Sequence, residues 1–246
     1  MAQYKGSIVI KPQVSIIIPV YNEEQNLPLL LSGITSAINS LGRPFEIIAV
    51  DDASRDNSLA VLKELSAQYP QLRIVRFIKN SGQSAAFAAG FKLAQGEFVV
   101  TLDADLQYDP RDIARLLEKL TKYDVVCGWR KNRSDPWLKL ISTKIANGVR
   151  NKISGENIKD TGCSLKAFKK SFLAELKMYK GMHRFLPTLL KMQGASVTEI
   201  EVKHFPRRFG RSKYNIRNRL GHSFLDLLFV SWMKKRNLDY QMEVIK

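Results

Sequence analysis

Thr101-Leu102-Asp103-Ala104-Asp105-Leu106-Gln107-Tyr108 follows directly on the apolar run Phe98-Val99-Val100. The run reads as a buried strand, and the acids lie where it runs out at its carboxyl end. If the chain stays extended there, Asp103, Asp105 and Gln107 project to one side and Leu102, Ala104 and Leu106 to the other. Two carboxylates and an amide oxygen then converge at the rim of a sheet. Hard oxygen donors from so few groups suit Mg²⁺ or Mn²⁺ shared with a phosphate-bearing substrate. The same octet also reads as a polar turn, with Asp109-Pro110 opening a helix. The rest of the chain decides between the two.

On the amino-terminal side, strand and helix signals alternate. Val14–Val20 is a β-branched apolar run, followed from Asn22 to Ser40 by Leu27, Leu30, Leu31, Ile34 and Ile38 at helical spacing. Phe45–Val50, Arg73–Ile78, Glu97–Leu102 and Asp124–Cys127 read as further strands. Between them lie helices marked by Leu59, Leu62 and Leu65, by the Ala-rich Ser84–Leu93, and by Ile113, Leu116, Leu117 and Leu120. Such alternation predicts an α/β fold with a mostly parallel sheet covered on both faces. Ligands then bind outside the carboxyl ends of strands. Tyr21-Asn22-Glu23, Asp51-Asp52 and Asp103-Ala104-Asp105 all fall at such ends. Past residue 130 the reading gives an amphipathic helix at Trp137–Lys152, a loop and short strand at Asp160–Phe168, a helix at Arg184–Met192 and a strand at Val197–Phe205. The chain divides into residues 1–205, the main body, and 206–246, a basic loop and amphipathic extension of the same domain.

The 246 residues carry a net charge of +16, with 45% hydrophobic and 25% charged residues, an ordinary globular mixture. The charge is uneven: residues 202–246 hold eleven Lys/Arg against three Asp/Glu. A basic tail implies an anionic partner, whether membrane surface, nucleic acid or phosphorylated substrate. Cys127 and Cys163 form no CxxC and lack a His at ligand spacing, which argues against a zinc site or a disulfide framework and for reduced, cytosolic thiols. The amino terminus has no export-signal layout, and no stretch approaches the ~18 apolar residues of a membrane span. A soluble or peripheral protein is expected. No GxGxxG follows the first strand and no GxxxxGK[ST] occurs, so phosphate charge must be met by metal and by Arg or Lys.

Ile18-Pro19-Val20-Tyr21-Asn22-Glu23, Val50-Asp51-Asp52-Ala53-Ser54, Asp103-Ala104-Asp105-Leu106-Gln107 and Phe209-Gly210-Arg211-Ser212-Lys213-Tyr214 occur in this order. Together they resemble family-2 glycosyltransferases of GT-A fold, most of all the dolichol- and polyprenyl-phosphate sugar synthases. The likeness covers roughly residues 12–240. It implies an inverting, metal-dependent transfer of a hexose from GDP-mannose or a UDP-glucose type of donor to a polyprenyl phosphate. By the same likeness Pro19, Tyr21, Glu23, Val50 and Ala104 line the nucleotide-sugar pocket, and Asp52, with Asp51, accepts from the base edge; the alternative is that Asp51 to Ser54 merely caps a turn. Asp105 and Gln107 hold the divalent ion, and Asp103 touches ribose, sugar or metal shell. Arg130 faces a donor or acceptor phosphate or is one more surface Arg. Arg207 and Lys213 contact diphosphate or lipid phosphate, as guanidinium forks and ammonium groups do. Asp160-Thr161-Gly162-Cys163 resembles a motif on the acceptor side.

A lipid phosphate is already anionic near neutrality, so no general base is assigned. If the acceptor is instead a saccharide hydroxyl, a base is needed, and Asp160 is the candidate. A basic nucleic-acid-binding protein is a third reading, but strand-end acids facing a groove repel phosphate. His183, His204 and His222 have no metal-site spacing, and no partner for Ser84 is evident. Leu220–Met233, followed by Lys234-Lys235-Arg236, is either an interfacial helix or a core helix. The expected location is the cytoplasmic membrane face, with room for a separate integral membrane partner and none for nucleic acid.

Overall fold

The computed structural model describes residues 11–131, 158–210, 216–238 and 243, with side chains of the last helix from 225 onward. The expected helix Trp137–Lys152 and Lys213 lie outside the described residues. Seven strands, β1 (Val14–Val20), β2 (Phe45–Asp51), β3 (Leu72–Arg76), β4 (Phe98–Thr101), β5 (Val125–Trp129), β6 (Lys166–Lys169) and β7 (Val197–Glu201), form one sheet in the order β3-β2-β1-β4-β6-β5-β7. The described helices are α1 (Leu27–Asn39), α2 (Ser58–Gln68), α3 (Gln83–Leu93), α4 (Asp112–Lys119), α5 (Leu186–Met192) and α6 (Ile216–Lys235). All pairs are parallel except those of β6, which runs antiparallel between β4 and β5.

The near-continuous apolar run of β1 is what a strand buried on both faces requires. Ile16, Ile18 and Val20 pack with Leu30, Ile34 and Leu116 on one face, while Ile17 packs with Phe87 and Phe91 of α3 on the other. α3 approaches β1 closely because residue 90 is glycine: a Cβ there would stand 2.3 Å from Ile17 Cγ2.

Three boundaries differ from the periodicity reading, the two strand ends for a pairing reason and the helix start for a proline. β3 ends at Arg76, opposite the last residue of β2, and Ile78 is fully exposed. β7 ends at Glu201, opposite Trp129 at the end of β5; beyond it only an isolated bridge joins His204 to Tyr108. Helix α1 begins at Leu27 with Pro28 in its first turn, and residues 21–26 form a loop. The carboxyl-terminal helix is neither wholly interfacial nor wholly core. Leu227 and Val230 pack on Met182, Phe185 and Leu189, whereas Leu225, Leu228, Phe229 and Trp232 are 44–63% exposed.

Candidate active site

β1, β2 and β4 are neighbours, and the chain winds from β1 out to β3 before returning to β4 on the other side. The crevice at such a switch point is where open α/β sheets bind ligands. Asn22 (φ 52°), Ala53 (φ 56°) and Leu106 (φ 58°), the described non-glycine residues with left-handed backbone, lie one in each of the three loops at these strand ends. For Ala and Leu that conformation costs about 1–2 kcal/mol, and such strain collects at functional rims.

Leu106 also changes the reading of the acidic octet. Regular strand ends at Thr101 and the chain turns at Leu106, so Asp103, Asp105 and Gln107 do not line one face of an extended segment. Instead the Gln107 N–H donates back to Asp105 Oδ1 at 3.3 Å, and Gln107 Nε2 donates to the Phe205 carbonyl at 3.2 Å.

The loops after β1 and β2 clasp one another. Asn22 N–H donates to Ser54 Oγ (3.0 Å), Glu23 N–H to Ser58 Oγ (2.8 Å), and Arg55 N–H to Asn22 Oδ1 (2.7 Å). Asp51 closes the turn by accepting from Ser54 N–H at 3.2 Å. Asp52 accepts from Ser81 N–H (2.6 Å), Gly82 N–H (2.8 Å) and Asn80 Nδ2 (3.0 Å), fastening the β3–α3 loop. Both acids therefore carry turn and loop architecture. Pro19 and Tyr21 are half-buried at the rim, whereas the Val50 and Ala104 side chains are buried in the core and leave only backbone to face a ligand.

Asp103, Asp105 and Glu23 form the acidic floor. Asp103 Oδ1 accepts from Gln83 Nε2 at 2.6 Å, and its N–H donates to Ser164 Oγ at 3.2 Å. Burial raises the Asp103 pKa, against the Ser164 hydrogen bond and the charges of Lys166, Arg130 and Arg207. Asp105 is pushed up to about 7, by burial first and then by the Asp103 charge; Arg207 opposes this and Glu23 adds to it. Arg207 spans the floor: Nη2 donates to Asp105 Oδ2 at 2.8 Å and Nη1 to Glu23 Oε1 at 3.3 Å. It is delivered there by the segment after β7, where Phe205 N–H donates to the Gln107 carbonyl at 2.9 Å.

Arg130 and Asp160, assigned separately from sequence, are partners. Arg130 Nε and Nη2 grip Asp160 Oδ2 and Oδ1 at 2.6 and 3.0 Å, and the Arg130 N–H adds a third bond at 3.3 Å. Burial works against the charge on Arg130, but the Asp160 carboxylate outweighs it and holds the guanidinium pKa above its ordinary value. Gln83, Ser164 and the buried Lys166, which caps the Thr161 and Cys163 carbonyls, carry no sequence signal, because each is a common residue far in sequence from Asp103. Ser84 does have a partner: its Oγ lies 2.7 Å from His183 Nδ1, across 99 residues, a separation without a sequence signal. Among the described residues, no group of three His, Cys, Asp or Glu side chains is placed to hold a metal ion by itself.

This architecture is the GT-A fold, as likeness to solved structures shows. A mannosyltransferase of Pyrobaculum calidifontis, solved with GDP-Man and Mn²⁺, is 22% identical with a TM-score of 0.60, covering 81% of this chain and 59% of that one. Glucosyl-3-phosphoglycerate synthase of Mycobacterium tuberculosis, solved with Mn²⁺ and UDP-glucose, is 15% identical with a TM-score of 0.66, covering 93% and 80%. The chain belongs to glycosyl transferase family 2, whose model matches residues 15–177. Undecaprenyl-phosphate 4-deoxy-4-formamido-L-arabinose transferase of Aeromonas hydrophila is 39% identical over 205 residues, 82% of this chain and 63% of the relative. The enzyme of the same name from Serratia proteamaculans is 39% identical over 207 residues, 83% and 63%. The chain thus spans less than two thirds of the length of these curated relatives.

Proposed function

We propose that this chain transfers a sugar from a nucleoside diphosphate to the phosphate of a polyprenyl lipid of the undecaprenyl type, with inversion at the anomeric carbon. The observation that carries the reading is the convergence of Glu23, Asp103 and Asp105 at the switch point beneath Arg207. The donor set fits a divalent ion of the Mg²⁺ or Mn²⁺ kind, which takes one or two carboxylates and completes its shell with substrate phosphates. Asp105, with Asp103 and Gln107 beside it, would hold that ion; when bound, it neutralises charge on the diphosphate. Arg207 and Lys213 meet the remaining phosphate charge, while Pro19, Tyr21 and Glu23 shape the nucleoside pocket whose wall Asp51 and Asp52 brace. The sugar is a hexose or the formamido-arabinose of the relatives' names, and the nucleoside is uridine or guanosine.

In the reaction a lipid phosphate oxygen attacks the anomeric carbon as the bond to the diphosphate breaks. The electron pair leaves on the nucleoside diphosphate, and no proton need move. Catalysis then rests on positioning and charge stabilisation. The Arg130–Asp160 pair favours this acceptor over a saccharide hydroxyl: Asp160 is 1% exposed and held by two guanidinium prongs, a poor setting for a base. The exposed apolar face of α6, with Lys234, Lys235 and Arg236 at its end, supports docking at the cytoplasmic surface of an anionic membrane. No helix among the described residues is long and apolar enough to cross one.

The test is thermal stabilisation by UDP, GDP and their sugar conjugates, with and without Mn²⁺, followed by transfer of labelled sugar to undecaprenyl phosphate or to soluble saccharides. A ligand at ~100 times its Kd should add about 2.7 kcal/mol. A metal-dependent shift with one nucleotide and label in the lipid fraction is the expected result. Label in the saccharide alone would reject the lipid acceptor.

A further inference from the structure

We infer that Arg207 stands in for a cation in the ligand-free protein, and that it passes from Asp105 and Glu23 to the donor diphosphate as the divalent ion takes its place. The inference rests on the function proposed above and concerns the order in which that site is filled.

Two arginines of the site are bound in contrasting ways. Arg130 places two prongs on one carboxylate, adds its backbone N–H, and has a side chain 14% exposed. Bidentate pairing of that kind is both strong and geometrically fixed. Arg207 divides its fork between two loops, with one prong on Asp105 at 2.8 Å and one on Glu23 at 3.3 Å, and is 25% exposed. Arg207 gives neither acid a bidentate grip. Arg130 is built to stay, and Arg207 is built to exchange.

The acids explain why something must occupy the position. Asp105 feels the charges of both Asp103 and Glu23, and its side chain is only 9% exposed. Removing the cation from such a cluster without replacement leaves a buried charge uncompensated, which is strongly destabilising. With Asp105 ionised, Arg207 therefore cannot follow the diphosphate until another cation serves that carboxylate. Conversely, a bare divalent ion must compete with a guanidinium already in place. The segment that carries Arg207 suits the exchange. It is pinned to the domain two residues earlier by the reciprocal bonds of Phe205 and Gln107, and Gly210 follows with φ 77°. By linkage, nucleotide and metal then raise one another's affinity by the same factor.

The experiment measures Mn²⁺ binding by electron paramagnetic resonance without nucleotide, and UDP or GDP binding by calorimetry at saturating Mn²⁺. It compares the wild type with Arg207→Gln and Arg207→Lys, each shown to be folded by thermal unfolding. Loss of one charged hydrogen-bonding partner predicts effects of roughly tenfold or more. Arg207→Gln should therefore bind bare Mn²⁺ about tenfold tighter and nucleoside diphosphate about tenfold weaker. Arg207→Lys, which keeps the charge, should leave bare Mn²⁺ affinity close to that of the wild type. The opposed signs are the signature, because a generally damaged site weakens both ligands. Equal or weaker Mn²⁺ binding by Arg207→Gln overturns the exchange while leaving the transferase reading intact. If the wild type shows no Mn²⁺-dependent binding of either nucleotide, the transferase reading falls and the exchange falls with it.

Discussion

Asp51-Asp52 and Asp103-Ala104-Asp105 are alike in sequence, each an acidic cluster at the carboxyl end of a buried strand, yet the fold treats them in opposite ways. The first pair is consumed by the protein: backbone N–H groups of Ser54, Ser81 and Gly82 and the Asn80 amide surround it. In the second, Asp103 takes the Gln83 amide but Asp105 is left short of fixed donors. Asp105 receives one backbone N–H at 3.3 Å and a guanidinium from a distant loop. A carboxylate satisfied by fixed donors is architecture. One held near its protonation point by burial and then by like charges, with an exchangeable cation opposing both, is a place for a ligand.

The largest effect should come from breaking the second cluster. Asp105→Asn is expected to abolish Mn²⁺-dependent stabilisation by nucleotide while leaving the melting temperature at pH 8 unchanged or higher, since a buried carboxylate among like charges is removed. Thermal scans with and without Mn²⁺ and nucleotide read both quantities. Breaking the first cluster should do the reverse. Asp52→Ala strands the Ser81 and Gly82 N–H groups and should cost about 2–4 kcal/mol in urea unfolding. A stable Asp52→Ala protein beside an unfolded Asp105→Asn protein would erase the contrast.

That contrast was not legible in the sequence, and the reason is physical. The apolar runs of β1, β2 and β4 predict strands, and the acids after them predict a rim, because burial and period are local properties. Whether an acid meets backbone donors depends on where another loop passes. Residues 80–82 reach Asp52 from 28 to 30 positions away, and Arg207 reaches Asp105 from 102. The Arg130–Asp160 pair reads in sequence as two separate residues for the same cause. The extended Asp103–Gln107 register failed on one dihedral, the positive φ of Leu106, which a leucine does not advertise. The likeness to family 2 pointed to these strand ends but not to which of their acids the fold had already used.

The pH dependence sharpens the comparison with a smaller effect. Asp105 titrates at about 7 in the folded protein against an ordinary value of 3.8, so between those values the folded state binds more protons than the unfolded chain. Its contribution to stability is therefore greatest below about pH 4, is lost as pH rises, and is fully lost above about 7. Metal ligation needs the ionised form. The stabilisation given by Mn²⁺ with nucleotide should accordingly grow from pH 5.5 to about 7 and then level off, and Asp105→Asn should remove the trend. Asp124, far from the site, moves the other way. Hydrogen bonds from Lys169 and Ser196 lower its pKa to about 2, so its contribution is present above 3.8 and lost as pH falls toward 2. Acid unfolding of Asp124→Asn should lose that component without altering the nucleotide response at pH 7.

The smallest effect tests whether the strain at the rim serves the ligand or only the fold. Ala53 sits at φ 56° in the turn closed by Asp51, and Leu106 at φ 58° in the turn closed by Asp105. Leu106 packs against the core, so its replacement by glycine would mix lost burial with relieved strain. Ala53 gives up only a methyl group. Ala53→Gly removes a left-handed cost of about 1–2 kcal/mol and adds about 0.4–1 kcal/mol of unfolded-state freedom. The net expectation is a stabilisation between about 0 and about 1.6 kcal/mol in urea unfolding. If the strain exists to aim the β2 loop at the nucleoside, nucleotide affinity should fall in the same variant even as stability rises. A rise in stability with unchanged affinity would confine Asp51 and Ala53 to the architecture of the loop. The comparison between the two acidic clusters would then stand without any contribution from the first to binding.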